Sequence, residues 1–167
     1  VSRLRPYKRV DLAIQAFNKM NIPLVVIGSG EELKRLQGLA QPNIRFLGSV
    51  SDAVKAQYLA HAQALIFPQE EDFGITAVEA MAAGRPVIAY NAGGAPEAVV
   101  EGVTGTLFEE QTWECLADRV IRFDAGQYDP QRIRAHALQF SAERFQSEIQ
   151  GFADRSWKEF QDGHGRV

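Results

Sequence analysis

The sequence predicts an α/β domain, a doubly wound, Rossmann-like parallel sheet with helices on both faces. Short apolar segments rich in β-branched residues alternate along the chain with longer amphipathic segments. The short segments are apolar throughout, as is typical of strands in a parallel sheet that is buried on both faces. The length of 167 residues fits a single domain, residues 1–167.

The chain is predicted to begin with a helix and then to alternate strands with helices. Apolar residues recur at helical spacing from Val10 to Phe17, and this first helix ends at Asn21. Strands are predicted at residues 24–27, 44–47, 64–67, 86–90 and 104–108. The intervening helices are predicted to have Glu31 and Glu32 in a first turn, Ser51 as a cap, a start near Gly74, and Pro96 in a first turn.

Beyond residue 108 the chain is predicted to be helical. Asp129 followed by Pro130 is typical of a helix cap and first turn. A last helix is predicted over residues 141–160, where apolar residues recur on one face. These residues are Phe145, Ile149, Phe152, Trp157 and Phe160.

The composition excludes several classes of protein. The chain is 46% hydrophobic, its net charge is −3, and it has no run of about 18 apolar residues that could cross a bilayer. The slight negative charge argues against nucleic acid as a partner. Cys115 is the only cysteine, so an internal disulfide is impossible and a reducing, cytoplasmic location is expected. The chain does not begin with Met, and we expect it to be a piece of a longer protein.

Ligands of such sheets bind beyond the carboxyl ends of the strands, so the loops at that edge are candidate sites. They are residues 3–8, at the presumed end of a first strand, and residues 28–30, 48–51, 68–74 and 91–96. The loop 28–30 reads Gly-Ser-Gly, but the dinucleotide fingerprint needs a third glycine where Leu33 stands. A tight turn is therefore the favoured interpretation, and a phosphate or nucleoside beside it stays open.

Glu79 is a single acid within an otherwise apolar predicted helix. An ionised carboxylate in such a place is seldom unpaired. It could bond to a neighbouring loop or an arginine, or it could accept hydrogen bonds from ligand hydroxyls. Glu71 could reach the same cavity, and the helix-start amides of Gly74, Ile75 and Thr76 offer donors to phosphate or sugar oxygens.

Four basic residues cluster in the first loop: Arg3, Arg5, Lys8 and Arg9. A solvated basic face is one interpretation. Because the loop lies at the ligand edge, Arg3 and Lys8 could instead neutralise a diphosphate. Carboxylates for hydroxyls, with amides and cations for phosphates, indicate a sugar nucleotide as the ligand.

Two further groups of residues have simple structural explanations. Phe46 and Leu47 could form a wall for a flat base, although core packing explains them equally. His61, His136 and His164 lack the spacing of metal ligands, so a metal site is not expected. No cofactor is expected either, because a sugar nucleotide would be a substrate.

Over almost its whole length the chain resembles the C-terminal donor-binding domain of GT-B glycosyltransferases, which is one half of the GT-B fold. The family is the large retaining one, family 4 or group 1, that includes bacterial mannosyl- and glucosyltransferases of cell-surface polysaccharides. The resemblance rests on SRLRPYKRVDLAIQAF, VVIGSG, IRFLGSV, ALIFPQEEDFGITAVEAMAAGRPVIAY and GGAPEAVVEGVTGTLF, in that order. Its most specific part is the pair Glu71 and Glu79, separated by seven residues.

The resemblance implies a role for each candidate residue. Glu71 would contact the donor sugar, and Glu79 would bind the ribose hydroxyls. Arg3 and Lys8 would hold the diphosphate. The remaining donor contacts would come from Phe73, Gly74, Ile75 and Thr76 around the phosphates, and from Arg45, Phe46 and Leu47 around the base.

The resemblance also implies a hexosyltransferase that retains anomeric configuration without a metal. Its donor is expected to be GDP-mannose, with UDP-glucose as the alternative. The acceptor, a glycan or lipid-linked molecule, would bind an N-terminal domain that this chain lacks, so the chain alone is expected to be inactive. The last helix would cross back to that domain, leaving Trp157 and Phe160 exposed or awkwardly packed, and the full-length protein could work at the inner face of the membrane.

Two other classes stay open. A sugar-nucleotide epimerase or hydrolase would keep the base and diphosphate contacts, but it would need acid–base residues such as histidine near the sugar, and the ligand-edge loops have none. A noncatalytic nucleotide-binding domain would tolerate the loss of Arg3, Lys8, Glu71 or Glu79, yet all four are present.

Overall fold

A computed structural model of the chain describes residues 1–164, with His164 described by its backbone alone. The strands are β1 Leu24–Ile27, β2 Ile44–Gly48, β3 Leu65–Phe67, β4 Val87–Tyr90 and β5 Gly105–Phe108. The α-helices are α1 Val10–Met20, α2 Leu33–Leu39, α3 Asp52–His61, α4 Ile75–Ala82, α5 Ala95–Ala98, α6 Trp113–Arg122, α7 Pro130–Ala137 and α8 Ala142–His164. Short 3-10 turns lie at Pro6–Lys8, Ala125–Gln127 and Leu138–Phe140.

All strand pairs are parallel, which confirms the predicted α/β class, but the described strands form two sheets instead of one. β1 pairs with β2, and β4 lies between β3 and β5. A slot of about 650 Å³ separates the sheets, lined by residues of β1 and β3 and by apolar side chains such as Phe17 and Phe123. Within residues 1–164 no strand fills it.

The predicted strand end before Arg3 is not a strand in the structure. No strand is assigned to residues 1–5. The amides of Ser2 and Leu4 instead donate to the carbonyls of Ile27 and Ser29, both at 3.0 Å. Two such bonds at matched two-residue spacing are the start of a parallel pairing, which holds this extended segment beside the end of β1.

The helix boundaries agree with most of the predicted caps. The hydroxyl of Ser51 accepts from the Val54 amide at the start of α3, and the carboxylate of Asp129 accepts from the Gln131 amide at the start of α7. Asn21 ends α1 in the left-handed conformation, with φ of 53°. The placement of Glu31 and Glu32 was wrong, because α2 begins only at Leu33 and both acids precede it.

The hydrophobic core has two parts, which lie on opposite faces of the sheet β3–β5. In the first part, Ile14, Phe17 and Leu116 of α1 and α6 pack with residues of β1, β2, β4 and β5. Met81, Val87 and Ile133 pack α4 and α7 around β3 and β4. Cys115 is half-buried against the first part, as expected of a packing residue.

Helix α8 leaves its apolar face in solvent. Phe145, Ile149, Phe152 and Trp157 are all exposed, and Trp157 stacks on Phe160 with ring centroids 5.7 Å apart. Exposure of Trp157 and Phe160 was expected. Among the described helices, none is both long and apolar enough to cross a membrane.

Candidate functional site

The candidate site is a cavity of about 550 Å³ at the carboxyl edge of β3, where two loops meet. One loop carries Lys8 and the other runs from Glu70 into the start of α4. The structure thereby brings together six of the residues that the sequence predicts for the site. They are Lys8, Glu71, Phe73, Gly74, Ile75 and Thr76, and Tyr7, Glu70 and Asp72 complete the lining.

Glycines in the loop after β1 position the segment that leads to Lys8. A Cβ atom on Gly28 would lie 1.8 Å from the Ser2 carbonyl oxygen, and one on Gly30 would lie 2.3 Å from that of Leu4. Leu4 itself is fully buried, which anchors the segment in the core. The two glycines are therefore explained by close backbone approach, which supports the tight-turn interpretation of Gly-Ser-Gly.

Arg9 and Gln111 connect the Lys8 loop to the loop after β3. Arg9 donates from Nη1 to Oε1 of Gln111 at 2.9 Å, and Gln111 donates from Nε2 to the Pro68 carbonyl at 3.0 Å. Arg9 adopts a left-handed backbone, with φ of 48°, between the 3-10 turn and α1. These two hydrogen bonds connect the two loops of the cavity through Gln111 and fix their relative position.

Lys8 and Glu71 form an ion pair across the cavity. Both side chains are largely buried, with exposed fractions of 14% and 20%. Gln69, which is buried, donates from Nε2 to Oε1 of Glu71 at 3.3 Å. The Glu71 carboxylate thus has a charged partner and a neutral one, as a largely buried carboxylate requires.

The acidic loop is held in place by the loop after β4. The Gly94 amide donates to the Glu71 carbonyl at 2.7 Å. A Cβ atom on Gly94 would lie 2.1 Å from the Asp72 carbonyl oxygen, so only glycine allows this approach. The loop after β4 therefore holds residues 70–74 on one side, and on the other side these residues line the cavity.

The start of α4 offers backbone donors to the cavity. Gly74 is its N-cap, and the first amide to bond within the helix is that of Ala77, to the Gly74 carbonyl at 2.9 Å. The amides of Ile75 and Thr76 precede that bond, and in the described chain they make no hydrogen bond. Such unsatisfied amides, with the helix dipole behind them, suit an anion.

Glu79 is paired with a lysine of the neighbouring helix, not with an arginine or a loop. Lys55 of α3 donates from Nζ to Oε1 of Glu79 at 2.7 Å, and the same Nζ lies 3.2 Å from Oδ1 of Asp52. The hydrogen bond to Glu79 is the main cause that raises the pKa of Lys55.

Arg3 and the three residues predicted for the base lie outside this cavity. Arg3 is exposed, and its guanidinium makes no ion pair within residues 1–164. On β2, Arg45 contacts the Tyr58 hydroxyl and lies over its ring, with Cζ 5.7 Å from the ring centroid. Phe46 packs against the core, and Leu47 is half-buried. Their roles toward a donor stay predictions.

The described histidines bond to backbone carbonyls. His61 contacts the Gln57 carbonyl at 2.7 Å and His136 contacts that of Ala98 at 2.8 Å, while the side chain of His164 lies outside the described residues. No group of three or more His, Cys, Asp or Glu side chains in the described chain is arranged to hold a metal ion.

Sequence reasoning missed three residues that shape the site: Lys55, Gln69 and Gln111. Lys55 lies on a different helix from Glu79 and is 24 residues away along the chain. Gln111 is 43 residues from Pro68. Only Gln69 carried a local signal, since it immediately follows Pro68 at the predicted ligand edge.

Curated relatives of known name match nearly the whole chain. A D-inositol 3-phosphate glycosyltransferase of Mycobacterium marinum is 32% identical over 184 residues, which cover 99% of this chain and 40% of the relative. The protein of the same name from Mycobacterium tuberculosis is 34% identical over 161 residues, covering 86% of this chain and 34% of the relative. The chain thus spans well under half the length of these relatives.

Solved structures share the fold. Anabaena HepE in complex with UDP-glucose superposes with a TM-score of 0.77 at 27% identity, covering 92% of this chain and 47% of that one. Sucrose-phosphate synthase from Thermosynechococcus elongatus superposes with a TM-score of 0.74 at 28% identity, covering 92% and 45%.

The family itself follows from a match over most of the chain. Residues 1–140 match the sequence family described as glycosyl transferases group 1. That range contains both loops of the cavity, the Glu79 helix and all five strands. The chain therefore belongs to the group 1 glycosyl transferases, and its α/β domain is of the GT-B kind.

Proposed function

We propose that this chain is the sugar-nucleotide-binding domain of a retaining glycosyltransferase whose donor is a UDP-hexose. The observation that carries the proposal is the cavity in which Lys8, Glu71 and the free amides of Ile75 and Thr76 meet. A cation with backbone amides suits a diphosphate, and a carboxylate suits sugar hydroxyls. The cavity volume of about 550 Å³ is in the range of small-molecule sites.

In this proposal the barrier is lowered by stabilising charge on the leaving group. The bond between the anomeric carbon and the diphosphate oxygen breaks, and negative charge grows on the diphosphate. Lys8 and the α4 amides stabilise that charge, and the exposed Arg3 joins them from the adjacent loop. The acceptor hydroxyl bonds to the anomeric carbon from the same face, and its proton passes to the departing phosphate. These cations take the place of a metal ion.

Glu71 serves in this proposal as a positioning group for the donor sugar. Before donor binding, its charge is neutralised by Lys8. When the diphosphate arrives it competes for Lys8, and the sugar hydroxyls take over as donors to Glu71. The exchange keeps both side chains paired, so neither is left as an uncompensated charge.

The donor base is proposed to be uracil. Solved structures of Anabaena HepE contain UDP or UDP-glucose, and this chain is 26% and 27% identical to them. GDP-mannose, the donor expected from the sequence resemblance, has no such support and serves as the comparison ligand. The acceptor is proposed to bind the part of the full-length protein that lies outside these residues.

Isothermal titration of the full-length protein with UDP-glucose and GDP-mannose tests the proposal. We expect UDP-glucose to bind and GDP-mannose to bind more weakly by at least about tenfold. Glu79→Ala should weaken UDP-glucose binding by about tenfold or more, since a hydrogen bond to a charged group is lost. Lys34→Met, on the exposed face of α2, is the matched surface control.

Each contrary result points to a specific error. Binding of GDP-mannose alone would reassign the base. Binding of neither donor by the folded protein would overturn the donor-site proposal. Donor binding with release of free sugar but no transfer to any acceptor would favour the hydrolase alternative.

A further inference from the structure

Lys55 is the charged neighbour of Glu79. Its Nζ lies 2.7 Å from Oε1 of Glu79, on the facing helix α3. The Lys55 side chain is 23% exposed and that of Glu79 36%, so the pair lies at the border between core and solvent. Pairs of this kind hold a single geometry only when a further contact restrains them.

A second contact restrains Lys55. Its Nζ also lies 3.2 Å from Oδ1 of Asp52, one turn earlier on α3. Asp52 stands in the first turn of that helix, next to the Ser51 cap, where a negative charge is favourable. The ammonium group therefore lies between two carboxylates, one on each helix. Because the Asp52 side chain is 99% exposed, the contact with Glu79 is the less screened of the two.

The pairing uses only part of the capacity of Glu79. An ionised carboxylate has about four acceptor positions, two on each oxygen. Lys55 occupies one of them on Oε1, and Oε2 makes no hydrogen bond within residues 1–164. A second oxygen, oriented and ionised, is thus available to hydroxyl donors.

We propose that Lys55 is a positioning residue, which holds the Glu79 carboxylate through Oε1 so that Oε2 accepts hydrogen bonds from the ribose of the donor. This role rests on the proposed function of Glu79. Lys55 also offsets the negative charge of Glu79, which would otherwise repel the incoming diphosphate. The proposal makes ribose recognition a property of two helices, α3 and α4, instead of one residue.

The test compares ribose with deoxyribose ligands on the full-length protein. The dissociation constants of UDP and 2′-deoxy-UDP are measured for the wild type, Lys55→Met, Lys55→Arg and the control Lys34→Met. The same measurements with GDP and 2′-deoxy-GDP make the result independent of the base. Thermal unfolding of each variant establishes that it is folded.

We expect the wild type to prefer the ribonucleotide by about tenfold, the size of one hydrogen bond to a charged group. Lys55→Met should lose most of this preference, Lys55→Arg should keep part of it, and Lys34→Met should keep all of it. In a Glu79→Gln background, Lys55→Met should change the preference no further, because the two residues act through one contact.

Two results would overturn the role of Lys55 while leaving the donor site intact. One is that folded Lys55→Met keeps the wild-type preference for the ribonucleotide. The other is that Lys34→Met loses as much of this preference as Lys55→Met does, which would reveal a general charge effect. If the wild type binds no nucleotide at all, the proposed function fails and the role of Lys55 fails with it.

Discussion

The Lys8–Glu71 pair combines a cation and an anion that are both largely removed from water. Removing one partner of such a pair leaves the other charge buried without compensation. This lowers the stability of the protein more than replacing both partners by apolar residues would. Gln69 reduces this cost for Glu71, because its amide still donates to the carboxylate when Lys8 turns away. The arrangement lets Lys8 change partners while Glu71 keeps a neutral one.

Glu71→Gln in the full-length protein should separate donor binding from transfer. The change removes the charge that occupies Lys8, so UDP affinity should stay equal or rise. Transfer should fall by about 100-fold, because the sugar loses the group that orients it. Glu114→Gln is the control, since Glu114 is exposed on α6, lies outside the cavity and makes no ion pair within residues 1–164. Full transfer activity in Glu71→Gln would exclude the positioning role.

The Lys55–Glu79 pair predicts a dependence of stability on alkaline pH. The pKa of Lys55 is raised above its ordinary value of 10.5, so the folded state holds this proton more tightly than the unfolded state does. The stabilisation is therefore complete below about pH 10 and is lost as the pH rises through the raised pKa. In urea titrations the wild type should be more stable than Lys55→Met at pH 8, and the difference should shrink at pH 11. A constant difference would contradict this account of the pair.

At the scale of elements, local sequence patterns predicted most of the fold and part of the site. The strand positions, the caps at Ser51 and Asp129, and the helix start at Gly74 depend on neighbours in the sequence, and they were predicted to within about a residue. The start of α2 was missed because acids suit a first turn without determining where it begins. Lys55 was missed since no local pattern indicates which side chain of α3 faces α4.

In the loop after β4, adding a single methyl group at Gly94 should lower the stability of the fold. Gly94→Ala would place its Cβ 2.1 Å from the Asp72 carbonyl oxygen, so one of the two loops must move. We expect a loss of about 1–3 kcal/mol in the free energy of unfolding, measured by urea titration. In the full-length protein, weaker UDP binding should accompany it, because the displaced loop lines the cavity.

Gly38→Ala is the control for this change. Gly38 lies in α2, and a Cβ there would meet nothing within 4 Å. Alanine is favoured over glycine in helices, so stability should rise by up to about 1 kcal/mol. Equal stability of Gly94→Ala and the wild type would mean that the two loops are not in tight contact in solution.

At the scale of the whole molecule, the two strand edges that face the slot are unpaired along most of their length within residues 1–164, and the Ser2 amide bonds the Ile27 carbonyl at the end of β1. The backbone amides of Leu24 and Gly28 donate toward β2. Because successive amides of a strand point to opposite sides, the amide of Val25 points away from β2 and into the slot. By the same alternation the Leu65 amide donates toward β4, and that of Ile66 points into the slot. The residues of both inner strands are those of a continuous buried sheet, as the sequence predicts.

Amide hydrogen exchange of this chain should detect the unpaired edges. We expect the amides of Val25 and Ile66 to exchange at least about tenfold faster than those of Val26 and Phe67, their neighbours in the ladders. The comparison is internal, since each fast amide has a slow neighbour in the same strand. Equal protection at all four positions would mean that the slot is filled in solution.

Helix α4 carries donors at its start and an acceptor one turn later, and its rigidity has a consequence for which ligands fit. Ile75 and Glu79 are separated by four residues, which is about 6 Å along the helix axis. In the proposed complex the start of the helix meets the diphosphate and Glu79 meets the ribose. A helix cannot stretch, so the spacing between these two groups selects ligands by length. A nucleoside monophosphate, which lacks the second phosphate, would reach Glu79 through its ribose but would leave the start of α4 with one phosphate fewer to bind.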